Sequence, residues 1–310
     1  MNYKDWLNVW IDNTVKPTLK SRTYTRYKEI IGGHINPKLG RYDLNELTPI
    51  VLQKFVAELL QNGNLITGKG LSANTVNTVV TVLQNSLKSA FVFGELKEYT
   101  ADRIKRPKAK ASEVNCFSLT EQRQIEQKIM QSKKDKLFGI ILCLYTGLRI
   151  GELLALTWND IDFSKRIISV TKSCHYAKGD SGKFERLTEL PKTVTSRRKI
   201  PIPKQMLAML KIIKKRSKSG YVIASGAQPV SVRSYQRSFA LMLKKLKIPH
   251  KSFHSLRHTF ATRALECGMD VKTLSELLGH KNAGITLNRY VHSLMEHKRE
   301  MMNKLGGLLK

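Results

Sequence analysis

Acidic residues are scarce in this chain of 310 residues: 24 Asp and Glu stand against 54 Lys and Arg, a formal net charge of +30. Self-repulsion on that scale destabilises a compact state unless a polyanion offsets it. Nucleic acid is therefore the expected partner, with an anionic membrane surface as runner-up. Long apolar runs are missing too. None approaches the roughly 20 residues that a spanning helix needs, and the opening MNYKDWLNVW lacks the basic-then-apolar order of a signal peptide. The expectation is a cytoplasmic, nucleoid-associated protein with no membrane partner. The four cysteines, Cys116, Cys143, Cys174 and Cys267, lie far apart, with no C-x-x-C pair and none beside a histidine. They read as free thiols, not as zinc ligands or disulfides. There is no G-x-x-x-x-G-K-[ST] loop to cradle a nucleotide and no carboxylate cluster to hold a magnesium pair, so neither cofactor nor metal is expected. The 41% of hydrophobic residues is enough for proper cores and excludes a disordered basic tail.

Helical spacing organises residues 1–100. Trp6, Leu7, Trp10 and Ile11 form one apolar stripe, and Tyr24, Tyr27, Ile30 and Ile31 form another. Thr48 followed by Pro49 is an N-cap with proline at the first helical position. It precedes Val51, Leu52, Phe55, Val56, Leu59 and Leu60 at intervals of three and four. After the Gly-rich turn NGNLITGKGLS, Ser72 caps a last helix that buries Val76, Val79, Val80, Leu83, Leu87 and Phe91 and stops near Gly94. The result is a small DNA-binding bundle whose polar faces carry Lys16, Lys20, Arg22, Arg26 and Lys28; the bland alternative for these charges is a solvated face. Residues 101–116 break the pattern. Basic, with Pro107 and no apolar period, they read as an extended interdomain linker suited to lie on a phosphate backbone.

Residues 117–310 read as a mixed domain. Ser118 and Glu121 have capping-box spacing, or Thr120 caps alone. KLFGIILCLYTG is a buried helix stopped at Gly147, and RIGELLAL is a short helix after it. RIISVTK, FERLTELPK and RRKIPIP are strands of a small antiparallel sheet, with Pro191, Pro201 and Pro203 restricted to its edges. From Pro203 onward all is helical apart from YVIA, and no internal repeat is visible. The fold class is mainly α with a small antiparallel β-sheet.

Four separated pieces stand out: TGLRIGELLALTWNDID with Arg149, PKTVTSRRKIPIP with Lys192, HSLRHTFAT with His254 and Arg257, and LGHKNAGITLNRY with His280 and Tyr290. Each is weak alone. His254 and His258 have the i, i+4 spacing of a zinc pair, but a metalloprotease motif needs glutamate where Ser255 stands, and Arg257 and Arg263 add positive charge. Together the pieces resemble the tyrosine recombinase family, the phage and conjugative-element integrases, across nearly the whole chain. G-L-R-x-x-E-L, H-x-L-R-H-T-F-A-T, L-G-H and R-Y-x-H occur in that family's order and spacing. DVKTLSELLGH and ITLNRY are most similar to integrases of mobile elements. The resemblance implies an N-terminal helical core-binding, SAM-like bundle and a C-terminal catalytic domain clamped on double-stranded DNA attachment sites. It also implies assembly as a homo-tetramer, with an excisionase or a host DNA-bending protein as the accessory partners it allows. Many such integrases carry an arm-binding domain ahead of the bundle; here Trp6 already begins the bundle, so regulation through arm sites is not carried over.

The implied chemistry fits the residue types. Breaking a phosphodiester without metal requires a nucleophile, cations for the non-bridging oxygens and an acid for the leaving oxygen. Tyr290 supplies the first. Arg149 and Arg257 each offer a planar fork of donors to phosphate, and His280 adds another donor. By resemblance Lys192 on a β-hairpin is the general acid and His254 takes the tyrosine proton, while Glu152, three residues after Arg149, fixes an active-site cation. A plain surface carboxylate is the other reading of Glu152. His258 stands outside the catalytic set, and Asp160 and Asp162 read as turn and capping residues. The product is a 3′-phosphotyrosyl link that conserves bond energy, so rejoining needs no ATP; integration and excision of a mobile element follow. In the tail, Leu294, Met295, Met301, Met302 and Leu305 pack on their own domain or dock on a neighbouring protomer. Two rivals remain. TRALECGMDVKTLSELLGHKNAGITLNRY also has the look of a helix-turn-helix in a non-catalytic DNA-binding regulator. A type IB topoisomerase would use similar residues to rejoin the same strand.

Overall fold

The computed structural model describes residues 1–109, 115–132, 134–178, 184–189, 197–280, 282–290, 299, 302, 303 and 305–307; for residues 177, 178, 184 and 288–290 it describes the backbone alone. Met1–Ser112 forms one compact unit, and Glu113–Tyr176 with Lys183–Lys310 forms another. Among the described residues no helix is long and apolar enough to cross a membrane.

The first unit is the expected helical bundle. Helices α1 (Tyr3–Trp10) and α2 (Lys16–Thr18) are joined through a π turn, Ile11–Val15. Helices α3 (Ser21–Ile30) and α4 (Asn36–Leu39) are joined through a second, Ile31–Ile35. Each π turn stands directly before an X-Pro pair, Lys16-Pro17 or Asn36-Pro37. Proline lacks the N–H that the ladder would use there, and widening the turn accommodates the missing donor and the ring. The pattern I-x-x-x-[VI]-x-P thus occurs twice, a short internal echo within a chain read as free of repeats. Thr48 caps α5 (Pro49–Asn62) and Ser72 caps α6 (Ala73–Val92), each side-chain oxygen accepting from the backbone three residues on. The apolar stripes meet in one core around Trp6, Leu7, Trp10, Leu52, Phe55 and Leu83. Leu60 and Phe91, expected on buried faces, are exposed. Both lie near the end of their helix, where the apolar period outlasts the contact. Ala101 and Ile104 are buried in this core, so the chain leaves the bundle later than its basic composition suggests, and residues 110–114 of the expected linker lie outside the described residues.

In the second unit Ser118 and Glu121 form the capping box of α7 (Leu119–Met130). Helix α8 (Phe138–Thr146) is apolar all round and correspondingly buried, and it packs against α12 (His254–Glu266). Helix α9 (Ile150–Ala155) follows one turn later. Strands β1 (Ile161–Asp162), β2 (Ile167–Val170) and β5 (Arg198–Pro201) make an antiparallel sheet in the order β1-β2-β5, with Ile168 opposite both Ile161 and Ile200. Pro201 sits on its edge strand, where its missing donor faces no partner. Strands β3 (Ser173–Lys178) and β4 (Phe184–Glu189) pair separately, so FERLTE belongs to a two-stranded ribbon and not to that sheet. Asp160 caps the turn at Thr157, and Asp162 accepts from the backbone N–H of Ser164 and Lys165, as turn residues do. Helix α10 (Lys204–Arg216), a short hairpin of β6 (Ala224–Ser225) and β7 (Gln228–Pro229), α11 (Val232–Lys245), α13 (Val271–Leu278) and α14 (Ala283–Tyr290) complete the unit. The expected fold class, mainly α with small antiparallel sheets, is the one observed. All four cysteines are free thiols, Cys143 and Cys174 buried.

Candidate active site

Helix α8 ends at Gly147, whose backbone is left-handed at φ 64°. A side chain there would be strained by that φ and would strike Phe260 of α12 and Leu278 of α13, its Cβ coming within 2.5 Å and 2.9 Å. The glycine therefore lets three helices approach and turns its own carbonyl toward α12. Helix α13 ends in the same way at Gly279, φ 62°. Between these two helix ends lies Arg257, only 2% exposed. Its Nη1 donates to the Gly147 carbonyl at 2.7 Å, and its Nη2 donates to the Leu278 carbonyl at 2.6 Å. Two C-terminal helix ends thus hold a buried guanidinium.

Nη2 of Arg257 also lies 3.0 Å from Nε2 of His280, and Nδ1 of His280 lies 2.7 Å from the Thr286 hydroxyl. Because a guanidinium only donates, Nε2 accepts; the proton then resides on Nδ1, which donates to Thr286. In this arrangement the Nε2 lone pair of His280 orients Arg257. Thr286 is fully buried on α14, and Tyr290 closes that helix one turn later.

Arg149 stands at the N-cap of α9, and Glu152 reaches back from the third helical position. The Glu152 carboxylate accepts from the Arg149 backbone N–H through Oε2 and from Arg149 Nη1 through Oε1, both at 2.9 Å. Glu152 is 5% exposed, so it is no surface carboxylate. Its second partner is Arg198 of β5, equally buried, whose Nη1 and Nη2 meet Oε1 and Oε2 at 3.0 Å and 2.8 Å. Burial opposes ionisation of Glu152, but the hydrogen bonds and charge of Arg198, then the charge of Arg149, outweigh it and hold the carboxyl down at about 2. Nε of Arg198 donates to the Leu277 carbonyl at 2.6 Å. Successive carbonyls at the end of α13 therefore hold two different arginines.

His254 opens α12 at an exposed position, three residues before Arg257. Its ring meets the buried His258 edge-on, with centroids 4.6 Å apart. Helix α12 is fixed from behind by Thr259, whose hydroxyl accepts from the Phe117 backbone N–H at 2.9 Å. Two sets of hydrogen bonds, Arg149–Glu152–Arg198 and Arg257–His280–Thr286, thus meet at the adjacent Leu277 and Leu278 carbonyls, with His254 on the same helix as Arg257. Lys192 lies outside the described residues, as do the side chain of Tyr290 and the tail residues Leu294, Met295 and Met301; Met302 and Leu305 are exposed. Two participants were missed by reading the sequence. Arg198 shares a face of β5 with Ile200, two residues on, which puts an arginine on the inward face of a strand. Thr286 carried no signal beyond its place one turn before Tyr290. Among the described residues no three of His, Cys, Asp or Glu converge as a metal site requires.

Residues 117–297 match the Phage integrase family, and residues 2–60 match the Phage integrase N-terminal SAM-like domain. The tyrosine recombinase XerC-like protein of Caldanaerobacter subterraneus subsp. tengcongensis is 28% identical over 98% of this chain and 82% of its own length. The ICEBs1 integrase of Bacillus subtilis is 26% identical over 94% of this chain and 79% of its own. Among solved structures, the Tn1549 transposon integrase in complex with transposon right end DNA superposes with a TM-score of 0.83 at 22% identity, covering 99% of this chain and 100% of that one. With the first of these matches spanning more than half of the sequence, the chain belongs to the phage integrase family and is a site-specific tyrosine recombinase.

Proposed function

We propose that the protein integrates and excises a mobile element by metal- and ATP-independent transesterification at paired DNA attachment sites, with Tyr290 as nucleophile. The observation that carries this reading is the convergence of Arg149, Arg257 and His280, from three distant segments: Arg257 is held by the Gly147 carbonyl two residues before Arg149 and meets His280, which bonds Thr286 on the helix that ends at Tyr290. The phenol oxygen attacks the scissile phosphorus, and its proton passes to His254. Arg149 and Arg257 donate to the non-bridging oxygens, where negative charge grows in the transition state. Lys192 gives a proton to the departing 5′ oxygen. A 3′-phosphotyrosine and a free 5′-hydroxyl result, and attack by a 5′-hydroxyl of the other duplex reverses each step and completes exchange.

One tyrosine per protomer and one broken phosphodiester in each strand of two duplexes require four protomers, so the working form is a homo-tetramer on DNA. Both the bundle and the second unit bind the duplex, and the chain passes from one to the other after Ile104. The surplus of lysine and arginine supplies affinity that falls steeply with salt, while base contacts and DNA deformability choose the site. An excisionase or host DNA-bending protein sets direction, in a cytoplasmic, nucleoid-associated setting.

The test uses the purified protein in EDTA with a labelled duplex spanning the DNA next to its own gene, quenched in SDS and compared with Tyr290→Phe. A protease-sensitive protein–DNA adduct that vanishes in the variant is expected. Binding without adduct on nicked trapping substrates would instead assign the chain to non-catalytic DNA-binding regulation, and adducts that only rejoin their own strand would make it topoisomerase-like.

A further inference from the structure

The pairing of Arg198 with Glu152 poses a question that phosphate chemistry sharpens. Arg149 needs a fixed position, which Glu152 supplies, yet a carboxylate that neutralises Arg149 removes the charge for which the arginine is there. Burying one acid beside one base yields a local net charge of zero. Here the carboxylate is divided unequally. Arg198 takes it with a two-pronged fork at 3.0 Å and 2.8 Å, whereas Arg149 commits one side-chain N–H at 2.9 Å and keeps its side chain 37% exposed. A guanidinium carries about five N–H donors, so most of those on Arg149 remain for another acceptor. The buried cluster of two guanidiniums and one carboxylate carries a net +1, with its exposed end at Arg149.

We propose that Arg198 is a positioning residue that acts as a counter-cation: it satisfies Glu152 from inside the protein so that Glu152 aims Arg149 without cancelling its charge at the scissile phosphate. The same side chain ties β5 to the end of α13 through the Leu277 carbonyl, next to the Leu278 carbonyl that holds Arg257. Arg198 therefore links the supports of both phosphate-facing arginines, and it stands six residues after Lys192 in the chain. This inference rests on the proposed tyrosine chemistry, because it assigns Arg198 to the phosphate of that reaction.

The experiment measures single-turnover adduct formation by the full chain on a nicked version of the trapping duplex, together with the DNA dissociation constant and thermal melting of each variant. Arg198→Met should slow adduct formation about 100-fold while DNA affinity stays within about twofold, because the remaining phosphate contacts are untouched. Adding Glu152→Gln to Arg198→Met removes the anion that would otherwise neutralise Arg149, and should recover about tenfold of the lost rate. A brace with no electrostatic role predicts the reverse, since the second substitution only removes another support. Arg198→Lys keeps the cluster at +1 and should lose no more than about tenfold; it carries the test even where Arg198→Met does not melt cooperatively. A double variant no faster than Arg198→Met, or a Lys variant as slow as about 100-fold below the unmodified protein, overturns the counter-cation role. An unmodified protein that binds DNA yet forms no adduct overturns the tyrosine reading itself, which keeps the two failures distinct.

Discussion

The N-terminal bundle and the C-terminal unit solve opposite problems with their interiors: among described residues the bundle buries Trp, Tyr, Leu, Val and Ile around one polar side chain, Ser86, whereas the C-terminal unit buries Glu152, Arg257, His258, Thr259, Ser275 and Thr286. A buried polar group costs free energy unless it is paired, and a buried charge costs more. The bundle avoids that cost, which suits an element that works through its surface. The C-terminal unit accepts it: Arg257 ends on two helix termini, Glu152 on two arginines and Thr286 on His280. On the proposed chemistry the polar interior is the working part of the molecule.

Breaking the polar interior at its centre should have the largest effect. Arg257→Met removes a phosphate donor and leaves the Gly147 and Leu278 carbonyls without their partner, so adduct formation on nicked duplex should fall about 1000-fold. A loss under tenfold would move the phosphate site away from Arg257. Breaking the apolar interior should act on stability alone. Leu83→Ala, at a fully buried position of α6, should cost about 2–5 kcal/mol, seen as a lower melting temperature, while adduct formation at saturating DNA below that temperature stays unchanged. Slower chemistry in the folded variant would mean that the units are less separate than their cores suggest.

Acid sharpens the comparison. The carboxyl of Glu152 is held at about 2, below its ordinary 4.5, so the unfolded chain binds that proton first as pH falls. Its stabilisation is complete above pH 4.5 and is lost as pH drops toward 2. Urea unfolding monitored across that window should show stability of the C-terminal unit rising with pH, and Glu152→Gln should flatten the slope; an unaltered slope would assign the acid sensitivity elsewhere. The smallest effect belongs to the polar centre of the bundle. The Tyr3 hydroxyl and the Ser86 hydroxyl are 2.5 Å apart in the core, and Trp6 Nε1 donates to the Ser86 carbonyl at 3.0 Å. Ser86→Ala removes the first bond and the one its hydroxyl donates to the Leu83 carbonyl at 2.9 Å, leaves the second in place, and should cost roughly 1–2 kcal/mol. A cost matching that of Leu83→Ala would make this pair an organiser of the bundle.

The same contrast explains what could be read in advance. Stripes such as Trp6–Leu7–Trp10 and caps such as Thr48, Ser72 and Ser118 are local signals, written in residue type and spacing, and the structure follows them. The stripe failed at Phe91, where periodicity continues but the opposing surface has ended, and it gave no sign of the two π turns, which depend on where a proline interrupts a ladder. At the site, arginines and histidines were visible as motif residues. Most of their supports were not, because two of the groups that hold Arg257 are main-chain carbonyls, present in every residue and marked only by the glycines that turn them. Arg198 needed the register of β5 before its inward direction could be seen.

The anchoring of Arg257 also bears on reversibility. Neither the Gly147 carbonyl nor the Leu278 carbonyl gains or loses a proton, changes partner by oxidation, or is consumed when a phosphate is transferred. A cation held by such groups presents the same field to a phosphate in an intact strand and to one attached to the protein. On the proposed chemistry the pocket has no arrow of its own: forward and backward transfers meet the same guanidinium in the same place. Whatever commits the element to joining or leaving its target must therefore come from the DNA ends and from the molecules assembled around them.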